Sequence, residues 1–182
     1  MNNIQKALEN GQSIWLDSIS RDMLWSGELQ EFVDLGVTGV TSNPAIFDKA
    51  LAESDIYDEA LEEYAKDGAN RQTVFERLAV DDIRDAADVL RPVYDNAGRR
   101  DGFVSIEVSP TLANDADGTI TEARRLWEAI DRPNVMIKVP GTPAGVPAIK
   151  TLISEGINVN VTLLFSLSAY KAAANAYVEG LS

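Results

Sequence analysis

NVMIKVPGTPAGVPAIKTLISEG, residues 134–156, holds one strand and one helix in a single line. NVMIKVP is an apolar run of strand length, interrupted by Lys138. TPAGVPAIKTLISEG reads as a helix, with Pro143 near its first turn and Gly156 at its end. The same alternation repeats along the chain. After a short helix over about 3–10, SIWLD is a strand. SGELQEFVDLG follows as a helix, with Ser26 as N-cap and Gly36 as C-cap. VTGVTSN is the second strand, and Pro44 opens acidic helical material to about Lys66. Residues 71–98 form a long amphipathic helix, with Phe75, Ala79, Ile83, Ala86, Leu90 and Val93 on one face. GFVSIEVS is the third strand. In TITEARRLWEAI, Thr119 and Glu122 have capping-box spacing, and Ala123, Leu126, Trp127 and Ile130 make the inner stripe. After the quoted unit, INVNVTLLF is the fifth strand and SLSAYKAAANAYVEG its helix.

Strand then helix, five times, predicts a parallel sheet covered by helices. A doubly wound open sheet would carry a nucleotide fingerprint, and both GxGxxG and GxxxxGK[ST] are absent. The remaining architecture is a (β/α)8 TIM-type barrel, of which about the first five units are counted here. The 182 residues suit one domain, so residues 1–182 are expected to form one partial barrel domain.

Composition narrows the chemistry. The net charge is -13, which argues against nucleic acid and against anionic membrane surfaces. It leaves anionic substrates open, since a pocket can be locally basic. The chain has no cysteine and no histidine. That removes thiolate chemistry, the Ser-His-Asp triad and the usual zinc ligand. Acid/base work falls to Asp, Glu, Lys or Tyr. No stretch approaches membrane-span length, and MNNIQKALENGQS has no signal-peptide core, so the expected location is cytoplasmic.

In a barrel the chemistry sits at the C-terminal ends of the strands. Asp17 closes SIWLD; Thr41, Ser42 and Asn43 close VTGVTSN. Glu107 ends the third strand and Lys138 lies near the end of the fourth. Asn160 and Thr162 share a face of the fifth. Each has a plainer explanation. Asp17 or Asn43 could cap the next helix, Glu107 could be an edge charge, and Asn160 with Thr162 a satisfied polar pair. A strand lysine often guards against edge aggregation. All five strands agreeing points to a site. Lys138 lies among Val135, Met136, Ile137 and Val139, a surround expected to penalise its ammonium form. A neutral amine attacks a ketone to give a Schiff base, whose iminium is an electron sink for carbon–carbon cleavage. Glu107 and Asp17 are the available carboxylates, and the amides of Asn43 and Asn160 offer donors and acceptors to polyol hydroxyls.

WLDSISRDMLWSGELQ, GVTGVTSNPAIF, VSIEVSP, MIKVPGT and NVNVTLLFS, in this order, resemble the N-terminal part of a transaldolase, a Schiff-base aldolase on a (β/α)8 barrel. WLDSISR and TSNPAIF resemble the branch that includes transaldolases fused to a phosphoglucose isomerase domain. The resemblance implies that Lys138 is the Schiff-base lysine. Glu107 and Thr162 would hold the water used in carbinolamine dehydration. Asp17 would take the proton from the donor's C4 hydroxyl. Asn43 and Asn160 would hold the dihydroxyacetone portion, with Thr41 lining the same pocket. It further implies sugar-phosphate substrates, no metal or organic cofactor, and a place in the pentose phosphate pathway. Family members differ in oligomeric state, so a homo-oligomer stays open.

The sequence departs from the family by stopping after five units. The serine and arginines that the family uses to grip phosphate follow the fifth strand. Arg21 is the one early basic residue that could approach the pocket; its simpler reading is a surface or helix-start arginine. An open partial barrel would expose strand edges and apolar interior on one side, so self-association or loose packing is expected. Two alternatives remain: an inactive or partner-dependent barrel fragment, or another Schiff-base aldolase such as a fructose-6-phosphate aldolase. Tyr or Gln at position 107 would have favoured the latter.

Overall fold

The structure is a computed structural model that describes residues 2–66 and 68–182. The chain packs as two compact units, Met1–Val104 with Arg132–Asn134, and Ser105–Asp131 with Val135–Ser182. The strands β1 (Trp15–Leu16), β2 (Gly39–Thr41), β3 (Phe103–Glu107), β4 (Val135–Pro140) and β5 (Val159–Thr162) lie in one sheet in chain order. A doubly wound sheet reverses its strand order at a switch point; this one does not, as the barrel reading requires.

In the first unit β1 and β2 run parallel, with Trp15 opposite Gly39 and Leu16 opposite Val40. Position 39 must be glycine because a Cβ there would lie 2.3 Å from the Trp15 ring. The Gly102 N–H donates to the Thr38 carbonyl, and the Val104 N–H to the Asn134 carbonyl, which brings β3 into the ladder. Helix α1 (Asn3–Glu9) opens on a capping box between Asn2 and Gln5. The single helix expected after β1 is two, α2 (Arg21–Ser26) and α3 (Glu28–Leu35). Ser26 is therefore the last residue of α2 and not an N-cap; Ser20 caps α2, and Gly27, at φ 86°, turns the chain into α3. Gly36, at φ 110°, closes α3 as read.

The acidic stretch after Pro44 forms α4 (Pro44–Glu53), a 3₁₀ turn at Asp55–Tyr57 and α5 (Asp58–Lys66), with Ser54 extended between α4 and the turn. The long helix α6 spans Arg71–Asn96. Its buried face carries Val74, Leu78, Ile83, Ala86, Leu90 and Tyr94, so Phe75 and Val93, expected on it, sit at its margins. Phe75 makes an edge contact with Phe47, and Tyr94 stacks edge-on against Phe103, which fixes the rotation.

Arg21 starts α2, as one reading had it, but it is not a surface residue: it is 5% exposed. Its Nε donates to Asp82 Oδ1 at 2.8 Å, and the Tyr57 hydroxyl donates to Asp82 Oδ2 at 2.7 Å. The Arg21 backbone N–H, one of the unpaired donors of the first helical turn, donates to the Tyr57 hydroxyl. The guanidinium also lies over the rings of Tyr57 and Trp25. Burial pushes the Asp82 carboxyl up, against the pull of the Tyr57 hydroxyl and Arg21. Burial and the Asp82 charge hold the Tyr57 phenol well above its ordinary range.

In the second unit α7 spans Ala116–Ile130. Asp115 caps it, so the expected Thr119–Glu122 capping box does not form. Thr119 is buried inside the helix and donates to the Leu112 carbonyl; Glu122 accepts from the Ser109 N–H. Ala123, Leu126 and Ile130 face inward, with Trp127 half-buried. Helix α8 (Gly145–Ser154) starts after Pro143; Pro147 occupies its first turn, and Gly156, at φ 80°, follows its end. Helix α9 (Leu167–Gly180) is capped by Ser166. Strands β4 and β5 run parallel, with Ile137 opposite Val159, Lys138 opposite Asn160 and Pro140 opposite Thr162. Val135, Ile137 and Val139 are fully buried. Apolar side chains after β5 and along α9 stand in solvent, among them Leu163, Phe165, Leu167 and Val178. Among the described residues, no helix is long and apolar enough to cross a membrane.

Candidate active site

The fourth residue of β4 is Lys138, 8% exposed. Its Nζ lies 3.5 Å from Glu107 Oε2. Glu107 is the last residue of β3, and the neighbouring Val108 N–H donates to the Lys138 carbonyl at 3.2 Å. The ladder therefore sets the two charges side by side. Asn160, directly opposite Lys138 on β5, donates from Nδ2 to Ser105 Oγ at 3.2 Å. Ser105 precedes Glu107 by two positions on β3 and so shares its face. Thr162, two further along β5 from Asn160, has a buried Oγ1 with no hydrogen-bond partner among the described residues. A buried hydroxyl in that state is costly unless a partner comes from outside the chain. The next residue, Leu163, has φ 61°. A bulky side chain in the left-handed region is strained by about 1–3 kcal/mol, and the strain falls at the C-terminal end of β5.

The second unit thus brings together Lys138, Glu107, Asn160 and Thr162. Ser105 joins them and was missed in the sequence. The signal was there, in the period of two that leads back from Glu107, but a serine inside a strand draws no notice.

The other expected residues belong to the first unit. Asp17 occupies the bend after Leu16 and is exposed. Thr41 ends β2, half-buried. Asn43 caps α4, its Oδ1 accepting from the Ile46 N–H at 3.0 Å, which is the plainer role weighed for it. All three stand at C-terminal strand ends. No group of three His, Cys, Asp or Glu among the described residues could hold a metal ion.

A lysine and a carboxylate at adjacent strand ends, flanked by an amide and an unpaired hydroxyl, form a set suited to carbonyl chemistry. The family model that matches residues 14–182 is transaldolase/fructose-6-phosphate aldolase. The chain belongs to this family. It is 52% identical over 182 residues to a protein named transaldolase 2 from a Nostoc species, covering all of this chain and 48% of that protein. It is 50% identical over 181 residues to a transaldolase 2 of Nostoc punctiforme, covering 99% of this chain and 48% of that one. A Thiobacillus denitrificans transaldolase is 52% identical over 172 residues, with 94% of this chain and 48% of that protein covered. The chain spans about half the length of the curated relatives it matches. Its five parallel strands with flanking helices are a partial (β/α) barrel of the TIM type, the fold of the family.

Proposed function

We propose that this chain carries the Schiff-base centre of a transaldolase, one that moves a dihydroxyacetone unit from a ketose phosphate to an aldose phosphate. The observation that carries the reading is the buried Lys138 with Glu107 at 3.5 Å. A nucleophilic lysine must shed a proton before it attacks, and a carboxylate at this distance is placed to move it.

Lys138 Nζ adds to the ketose C2, and the carbinolamine loses its hydroxyl as water to leave an iminium. Glu107 supplies and recovers protons in this step, through a water that also meets the Thr162 hydroxyl. Asp17 takes the proton of the C4 hydroxyl. The C3–C4 bond then breaks, its electron pair flows to the iminium as an enamine, and an aldose phosphate departs. The enamine attacks the acceptor aldehyde, and hydrolysis frees Lys138. Asn160 and Asn43 hold the hydroxyls of the three-carbon unit, and Thr41 lines the pocket. The fructose-6-phosphate aldolase side of the family shares the lysine. Glu107 as the water-positioning carboxylate favours the transaldolase reading. We place the enzyme in the cytoplasm, with residues 1–182 as one partial barrel domain.

The test is borohydride trapping. The chain is incubated with fructose 6-phosphate or dihydroxyacetone, reduced, digested, and the Lys138 peptide weighed. A reduced adduct on Lys138 that is lost in Lys138→Met supports the reading. A folded chain without adduct, beside a full-length family member that forms one, refutes it for this chain.

A further inference from the structure

Ser105 has no exposed surface. Its Oγ accepts from Asn160 Nδ2 at 3.2 Å, and Asn160 stands opposite Lys138 in the β4–β5 register. An asparagine amide has two unlike ends: NH2 donates and the carbonyl oxygen accepts. A half-buried amide with nothing to orient it can present either end. Here the NH2 end donates to the buried Ser105 hydroxyl of β3. The carbonyl end is left for whatever is bonded to Lys138 Nζ.

We propose that Ser105 is a positioning residue. By holding Nδ2 of Asn160, it turns Oδ1 toward the bound ketone, so that this part of the site accepts a hydrogen bond from a hydroxyl adjacent to the carbonyl. Ser105 itself touches no reacting atom. It makes the site select α-hydroxy ketones over ketones lacking a hydroxyl, because a bound ketone shields the half-buried amide from water, and an acceptor then left without a donor is penalised. The inference rests on the Schiff-base reading of Lys138.

The experiment compares dihydroxyacetone with acetone as probes. Each ketone condenses with the Lys138 amine, releasing water, and borohydride delivers hydride to the iminium carbon to leave a stable secondary amine. The concentration for half-maximal labelling of the Lys138 peptide, and the labelling rate at saturation, are read for each probe. The parent is expected to prefer dihydroxyacetone. In Ser105→Ala that preference falls by between about 2- and 12-fold, the worth of one neutral hydrogen bond. The change appears in the half-saturating concentration for dihydroxyacetone, while the saturated rate and the acetone values stay put. A merely structural role for Ser105 would move both probes together. Ser105→Thr, which keeps the hydroxyl, restores the preference. In an Asn160→Ala background, Ser105→Ala has no further effect, since it acts only through the amide. Ser105→Cys keeps only a weak acceptor and falls between serine and alanine; it carries the test if the alanine variant does not fold. An unchanged preference in Ser105→Ala, or the same drop in the Asn160→Ala background, overturns the proposal and leaves the Schiff-base reading intact. A folded parent that labels with neither ketone overturns the Schiff-base reading, and this proposal with it.

Discussion

Asp82→Asn tests whether the buried charge pair in the first unit is as demanding as its geometry says. The Arg21 and Asp82 side chains are 6% and 1% exposed, with 2.8 Å between charged atoms. At an effective dielectric near 20, two unit charges at that distance attract by roughly 6 kcal/mol. Desolvation of both ions offsets most of that. Asparagine keeps the size and one carbonyl acceptor but removes the charge, so the guanidinium stays buried with only that acceptor and the Tyr57 and Trp25 rings to offset its lost hydration. The expected cost is about 3–5 kcal/mol. In a chain of 182 residues, each kcal/mol is worth about 2–4 °C in Tm, so the fall is roughly 6–20 °C. The assay is urea and thermal unfolding of four chains: parent, Asp82→Asn, Arg21→Met, and Arg21→Met with Asp82→Leu. The double substitution leaves neither charge of this pair and recovers much of the loss. If Asp82→Asn costs less than about 1 kcal/mol, the value of an exposed pair, or the double variant is no better than the single, the reasoning fails.

Three further outcomes are expected. Glu107→Gln slows adduct formation on Lys138 by about 10²-fold or more in quenched time courses with dihydroxyacetone; a parental rate would remove Glu107 from the chemistry. Gly39→Ala drives a Cβ into the Trp15 ring and costs about 1–3 kcal/mol; an unchanged urea midpoint would mean that the β1–β2 register is not as described. The hydrogen bond to Asp81, helped by burial, raises the Tyr64 phenol from 10.0 to about 12. Its stabilising share is therefore complete below about pH 10 and is lost as pH rises through 12. Phenolate absorbance followed against pH should lose a late step in Tyr64→Phe; an identical titration would refute the assignment.

The strand ends were legible because the chain announces them: an apolar run stops, a polar residue follows, and a helix begins. Glu107 could be placed from that alone, whereas Lys138 and Asn160 showed as polar residues interrupting an apolar strand. The rotation of α6 could not. Two overlapping apolar stripes compete on it, and the contact of Tyr94 with Phe103 decides between them from a strand that follows the helix. The Thr119–Glu122 pair matched a capping pattern by spacing, yet Asp115 takes the cap and leaves Glu122 for the Ser109 N–H. Asp82 was invisible as a buried charge. An acidic residue amid charged neighbours reads as solvent-facing, and its partner Arg21 is 61 positions away. Ser105 was hidden for the opposite reason, being small, neutral and inside an apolar strand.

Asn43 caps α4 through its Oδ1, and this shapes how the position tolerates change. Asp and Ser cap a helix about as well as Asn, so selection for folding alone would let position 43 drift among the three. Only a ligand that uses the NH2 group would hold it at asparagine. A library varied at this codon and sorted first for folded protein, then for labelling at Lys138, would separate the two pressures. Aspartate and serine surviving the first sort and vanishing in the second would mark the position as recruited from architecture into recognition.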